Sequence, residues 1–211
     1  MELNVIKAIS DKFTKEEFLE GDPHIFLKGD HEVMFSAAHA VSQIRNGRYK
    51  KSETYTGVLA KLLNSYARYP AIVKTRNLFD DANYDPESFY RQELIDFIKV
   101  SKIQCLIDLH IMKPSNHYDI EMATGNGANI QGQWWIINEI NGTARENGIE
   151  KIATDENFFA LNPNCIAADI SKKCGIPAIQ MEINWKVISD EKGFTKIYSF
   201  LKGLNTVFDS Y

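Results

Sequence analysis

The run IQCLIDLH, residues 103–110, constrains this chain more than any other stretch: it is an apolar strand that ends in an aspartate and a histidine. Its apolar content predicts a strand covered on both faces. Asp108 and His110 are two residues apart, so they share one face with Leu106, while Cys105, Ile107 and Leu109 take the other. An apolar interior rejects a carboxylate unless a partner compensates it. Two readings follow. Either Asp108 and His110 merely satisfy each other, or His110 binds a metal ion and Asp108 holds its second ring nitrogen.

Around this strand, short β-type runs alternate with amphipathic stretches. Strands are predicted over 32–38, 71–74, 118–123 and 178–183. Helices are predicted over 53–66, 86–100, 133–147, 164–173 and 192–208, with Asp85 as N-cap and Pro86 as the first residue of the second. Gly148 and Gly175 close two of them. Such alternation predicts an α/β sandwich around a mainly parallel sheet, where chemistry gathers at the carboxyl ends of strands. The 211 residues carry no internal repeat and no Pro/Gly-rich linker, so residues 1–211 read as one domain.

Composition narrows the partners. Lys plus Arg is 24 and Asp plus Glu is 28, a net charge of −4, which argues against a nucleic-acid binder. No apolar run approaches the roughly 18 residues of a membrane span, and the first residues do not read as a signal peptide. Cys105, Cys165 and Cys174 are odd in number and form no Cys-x-x-Cys pair. A reduced, cytoplasmic protein is expected.

Two further strands end in residues that an apolar core would reject: His39 after FSAA, and Glu182 in AIQMEIN. Two histidines at strand ends can converge on one ion. Two His plus a carboxylate, with a position left for water, is the set of catalytic zinc hydrolases. Glu53 is the candidate carboxylate, brought in across the polar loop RNGRYKKS; the competing reading is a charge favoured by the start of its helix. Partial burial of Glu182 would raise its pKa and suit it to general acid–base work; the competing reading is a salt bridge.

The stretches SAAHAVSQIRNGRYKKSETYTGVLAKLL, NLFDDANYDPESFY, CLIDLHIM and IQMEIN, in this order, resemble the N-formylglutamate amidohydrolase-like family, within the zinc carboxypeptidase and aspartoacylase-type superfamily. The resemblance implies a three-layer α/β/α sandwich with a mainly parallel mixed sheet, the zinc-carboxypeptidase-like (phosphorylase/hydrolase-like) fold. It implies one Zn2+, or another divalent ion, on His39, Glu53 and His110. It implies Glu182 as catalytic base, and hydrolysis of the amide bond of a small N-acyl amino acid or peptide. Asp81, Asn83 and Tyr84 fall on the family's Asp-x-Asn stretch near the substrate. Two departures are visible: position 42 is Ser42, so Glu53 must supply the carboxylate from further along, and Tyr84 stands where related enzymes often carry Arg.

Arg45, Arg48 and Arg76 are the cationic candidates for stabilising an oxyanion or gripping a substrate carboxylate. The Gly/Asn-rich segment NHYDIEMATGNGANIQGQ is expected to shape the pocket, with His117 an ordinary loop residue or a second-site ligand. Trp134 and Trp135 are expected to pack a helix on the sheet, with one ring able to line the pocket. Two alternatives stand beside the amidohydrolase: an inactive relative binding a small anionic ligand through Arg45 and Arg76, and a peptidase acting on short or cell-wall peptides.

Overall fold

The computed structural model describes residues 2–208. From the N-terminus the chain runs α1 (Leu3–Glu16), β1 (His24–Leu27), β2 (Val33–Ala37), β3 (Gln43–Arg45), β4 (Arg48–Lys50), α2 (Thr54–Ala67), β5 (Ala71–Lys74), α3 (Phe89–Val100) and β6 (Cys105–Met112). It continues with β7 (Ile120–Ala123), α4 (Trp134–Glu146), β8 (Ile152–Thr154), α5 (Ile166–Cys174), β9 (Ala178–Asn184), α6 (Trp185–Ile188), α7 (Glu191–Lys202) and α8 (Asn205–Phe208).

Seven strands form one mixed sheet in the order β1-β5-β2-β6-β9-β7-β8. Its centre, β5-β2-β6-β9, is parallel, while β1 and β7 join antiparallel to β5 and β9. β6 and β9 are buried almost throughout because helices cover both faces. On one face Val33, Phe35, Ile107, Leu109 and Met181 pack against α1, α2, α4 and α7. On the other, Met34, Leu106 and Ala178 pack against α3 and α5. This is the expected three-layer sandwich.

Local chemistry moved several boundaries. The second predicted helix starts at Phe89, not Pro86: Ser88 caps it, its hydroxyl accepting the Arg91 N–H, and Asp85 accepts the Asp81 N–H instead. The predicted terminal helix is two, because the chain turns at Gly203, whose Cβ position would lie 3.0 Å from the Thr143 side chain. The polar loop 45–52 is partly a β-hairpin: β3 and β4 pair across Asn46-Gly47, both in the left-handed region (φ 52° and 71°), as a type I′ turn requires. No helix among the described residues is long and apolar enough to cross a membrane.

Candidate functional site

The site lies at the carboxyl ends of the parallel strands, on the α3/α5 face. β2 delivers His39 just past its end, and β6 delivers Asp108 and His110. Strand register sets Glu182 of β9 directly beside His110, and Gln180 beside Asp108. Glu53 precedes α2, and its backbone N–H donates to the His39 carbonyl at 2.7 Å, which ties the helix start to the strand end. Its Oε2 accepts the Ile111 N–H at 2.9 Å.

One ligand atom each from His39, Glu53 and His110 lies within 4.8 Å of the others. The two imidazoles meet Glu53 through the same nitrogen: His39 Nδ1 is 3.3 Å from Oε1 and His110 Nδ1 is 3.4 Å from Oε2. Donors about 2.0–2.1 Å from a tetrahedral metal are separated by about 3.3–3.5 Å, so these spacings fit one small ion. The outer nitrogens are already held. His39 Nε2 is 2.9 Å from Asp81 and His110 Nε2 is 2.8 Å from Asp108, both carboxylates being fully buried. This leaves both Nδ1 lone pairs free to face a cation, so the three residues could hold a metal ion.

The charges reinforce one another. Burial opposes ionisation of Glu53, but the two imidazoles outweigh it and hold its carboxyl well below the usual range. Burial likewise opposes charge on the histidines, yet Glu53 and Asp81 raise His39, and Asp108 and Glu53 raise His110. Glu182 goes the other way: burial pushes it up to about 7, with the Glu53 charge adding to the rise. The Gln180 amide donates to its Oε1 at 2.8 Å. Glu182 is therefore a carboxylate able to exchange a proton near neutral pH.

A cavity of about 660 Å3 opens over this cluster. Asn83, Tyr84 and Arg45 are among the residues that line it. Asn83 is pinned between the Ile166 N–H, which it accepts at 2.7 Å, and Gln180. Arg45 donates to Asp81 at 2.8 Å and lies over the Tyr84 ring at 4.6 Å. Three candidates lie elsewhere. Asp81 is fully buried and occupied by His39 and Arg45, so it orients the histidine and does not face the cavity. Arg48 is exposed on the far arm of the hairpin and does not line the cavity. Arg76 donates to the carbonyl of the adjacent Thr75 and turns to α1, where it faces Glu16 at 3.9 Å. His117 and the tryptophans Trp134 and Trp135 do not line the cavity either.

One wall escaped the sequence reading altogether. Phe158, Leu161 and Asn162 close one side of the cavity, and Lys50 and Lys113 supply further positive charge. This loop is anchored by Glu121, a fully buried carboxylate on β7 that accepts the N–H groups of Glu156, Asn157 and Phe158. The Gly/Asn-rich turn acts behind it: Gly125 donates to Phe159, and the Asn129 amide to Ala160. The segment therefore shapes the cavity at one remove. The only available signal was Glu121 itself, a charge inside the apolar strand IEMA.

Neither a family model nor a curated protein sequence matches this chain. Solved structures do. A gene product of Agrobacterium tumefaciens superposes with a TM-score of 0.64 at 14% identity, covering 94% of this chain and 98% of its own. N-formylglutamate amidohydrolase from Ralstonia eutropha gives 0.60 at 11% identity over 88% and 97%. A metallo-carboxypeptidase from Burkholderia cenocepacia gives 0.58 at 11% identity over 99% and 67%. The chain thus has the fold that the N-formylglutamate amidohydrolase and the metallo-carboxypeptidase share, as the sequence resemblance implied.

Proposed function

We propose that this protein is a metal-dependent hydrolase that cleaves the amide bond of a small N-acyl amino acid or a related small amide or peptide. One observation carries the reading: His39 and His110 both turn Nδ1 toward Glu53, while buried Asp81 and Asp108 hold both Nε2 atoms. The names of the amidohydrolase and carboxypeptidase that share the fold support it. His39, Glu53 and His110 would hold the ion, zinc by the match of donors, although the same donors also suit manganese, cobalt or iron. The ion would supply an acidified water and polarise the scissile carbonyl.

The chain's own residues do the rest. Glu182 sits beside His110, takes the proton of the attacking water at its carboxylate and returns it to the leaving amine. Gln180 fixes the carboxylate's orientation. Arg45, anchored through Nε to Asp81 and stacked on Tyr84, presents its guanidinium to the developing oxyanion or to a substrate carboxylate. Asn83 adds an amide at the floor of the cavity. Arg76 leaves the catalytic set. Three free cysteines suit a reduced, cytoplasmic setting. The test is elemental analysis of protein purified without chelator, joined to hydrolysis of an N-acyl amino acid panel before and after chelation. The expected result is about one metal ion per chain and hydrolysis that chelation abolishes; protein that neither carries nor takes up metal overturns the proposal.

A further inference from the structure

The cavity over the His39–Glu53–His110 cluster does not end there. Glu53, Ile111, Met112 and Lys113 line it and also line a second hollow of about 790 Å3, which runs on toward Lys51, Tyr55 and Trp185. Each hollow alone has the volume of a small-molecule site. A single acyl amino acid at the histidines would leave the second one unused.

Charge and shape say what fills it. The chain carries a net charge of −4. Yet outside the His39–Glu53–His110 cluster and Glu182, the charged side chains lining the two hollows are Arg45, which is paired with Asp81, and Lys50, Lys51 and Lys113. A cationic track on an acidic protein concentrates anions locally. At its far end Trp185 lines the second hollow and is 39% exposed. Its ring packs on Tyr55 at 5.0 Å between centroids. Asn184 before it caps α6 by accepting the Lys186 N–H, and its amide donates to the Asn116 and Tyr118 carbonyls. Glu182 and Trp185 thus leave the same strand end three residues apart, one serving each hollow. A half-exposed tryptophan beside lysines offers an apolar face to the methylene stems of an anionic chain whose carboxylates meet the lysines.

We propose that the second hollow is a subsite for an anionic oligopeptide-like substrate. Its scissile amide lies at the histidine cluster. Its further residues cross the Ile111–Lys113 ridge, set carboxylates against Lys113 and Lys51, and rest on Trp185. This rests on the amide-hydrolase reading and narrows its substrate from a single acyl amino acid to a chain of several residues.

The test is calorimetric binding of α-linked diglutamate, hexaglutamate and a neutral Gln–Ala hexapeptide to metal-loaded protein carrying Glu182→Gln, which slows turnover by about 10²–10⁴-fold. Hexaglutamate is expected to bind about tenfold or more tightly than either other peptide. Trp185→Ala and, separately, Lys51→Gln in that background bring the hexaglutamate-to-diglutamate ratio close to one. Lys51 is exposed, so its variant tests the proposal even if Trp185→Ala disturbs folding. Equal affinity for the two glutamate peptides, equal affinity for the neutral hexapeptide, or no binding of any of them overturns the subsite. The hydrolase reading fails separately, if metal-loaded wild-type protein cleaves neither N-acyl amino acids nor peptides.

Discussion

Asp81 lies 2.9 Å from Nε2 of His39, wholly buried, and its other oxygen accepts from Arg45. Burial opposes its ionisation, but His39 and Arg45 prevail and hold it far below the usual carboxylate range. It therefore fixes the ring so that Nδ1 faces Glu53. Asp81→Asn keeps the shape and removes the charge, and it also frees Arg45. Metal affinity is expected to fall about 10–100-fold, the usual loss when such a partner is removed. Competition with a chromophoric chelator measures it. Asp108→Asn behind His110 should act alike, and affinity unchanged in both variants would show that the ion is not held at these rings.

Metal binding should depend steeply on pH. A histidine must be neutral to bind a cation. Burial works against charge on His39 and His110, but the carboxylates around them raise both above the ordinary value of 6.5. At neutral pH the ion therefore displaces protons, and affinity climbs as pH rises through and above 6.5. Calorimetry in buffers of different ionisation enthalpy should count up to about two protons released per zinc ion at pH 7. Chelation should lower the melting temperature, since a ligand at 1,000 times its Kd stabilises by about 4 kcal/mol. Zinc uptake with no proton release would contradict this arrangement of charges.

The layered architecture and the convergence of His39, Glu53 and His110 were legible because each rests on local, periodic signals. IQCLIDLH and AIQMEIN are nearly uninterrupted apolar runs, and their misplaced charges marked the strand ends that converge. Short-range turn chemistry was also written in the chain: Asn46-Gly47 is a hairpin signal, and reading RNGRYKKS as a plain loop hid how Arg45 reaches the cavity while Arg48 does not. The fate of Arg76 was not legible. It follows β5 as expected, but its direction is decided by α1, some sixty residues earlier, which supplies Glu16. The Phe158–Asn162 wall was equally hidden, since its shape depends on hydrogen bonds to Glu121, more than thirty residues away.

Glu121 gives a prediction that separates scaffold from chemistry. Its carboxylate satisfies three backbone N–H groups and the Asn157 amide, but it lines no part of the cavity itself. Glu121→Ala leaves those donors without a partner. Bonds to a charged group are worth about 1.5–3 kcal/mol, so a loss on the order of 3 kcal/mol is expected in denaturant unfolding. Glu121→Gln should cost less. In both, KM should rise more than kcat falls, because the wall that holds substrate loosens while His39, Glu53, His110 and Glu182 stay in place. A fall in kcat alone would move Glu121 into the chemistry.

Glu182 gives the sharpest pH test. Burial, helped by the Glu53 charge, raises its pKa to about 7 from the usual carboxylate value of 4.5. For a raised carboxyl the sign is fixed: the stability it contributes is complete below its unfolded value and disappears as pH climbs through the folded one. The window is therefore about pH 4.5 to 7. Over it the wild-type, metal-free protein should lose on the order of 3 kcal/mol relative to Glu182→Gln, which has no proton to lose. The melting temperature of the variant minus that of the wild type should widen between pH 5 and pH 8 in chelator. The same variant, reloaded with metal, should keep its zinc while hydrolysis falls by about 10²–10⁴-fold, the range ascribed to general acid–base groups. A constant stability difference across that window would place the carboxylate in solvent, and undiminished turnover would pass the proton to another group.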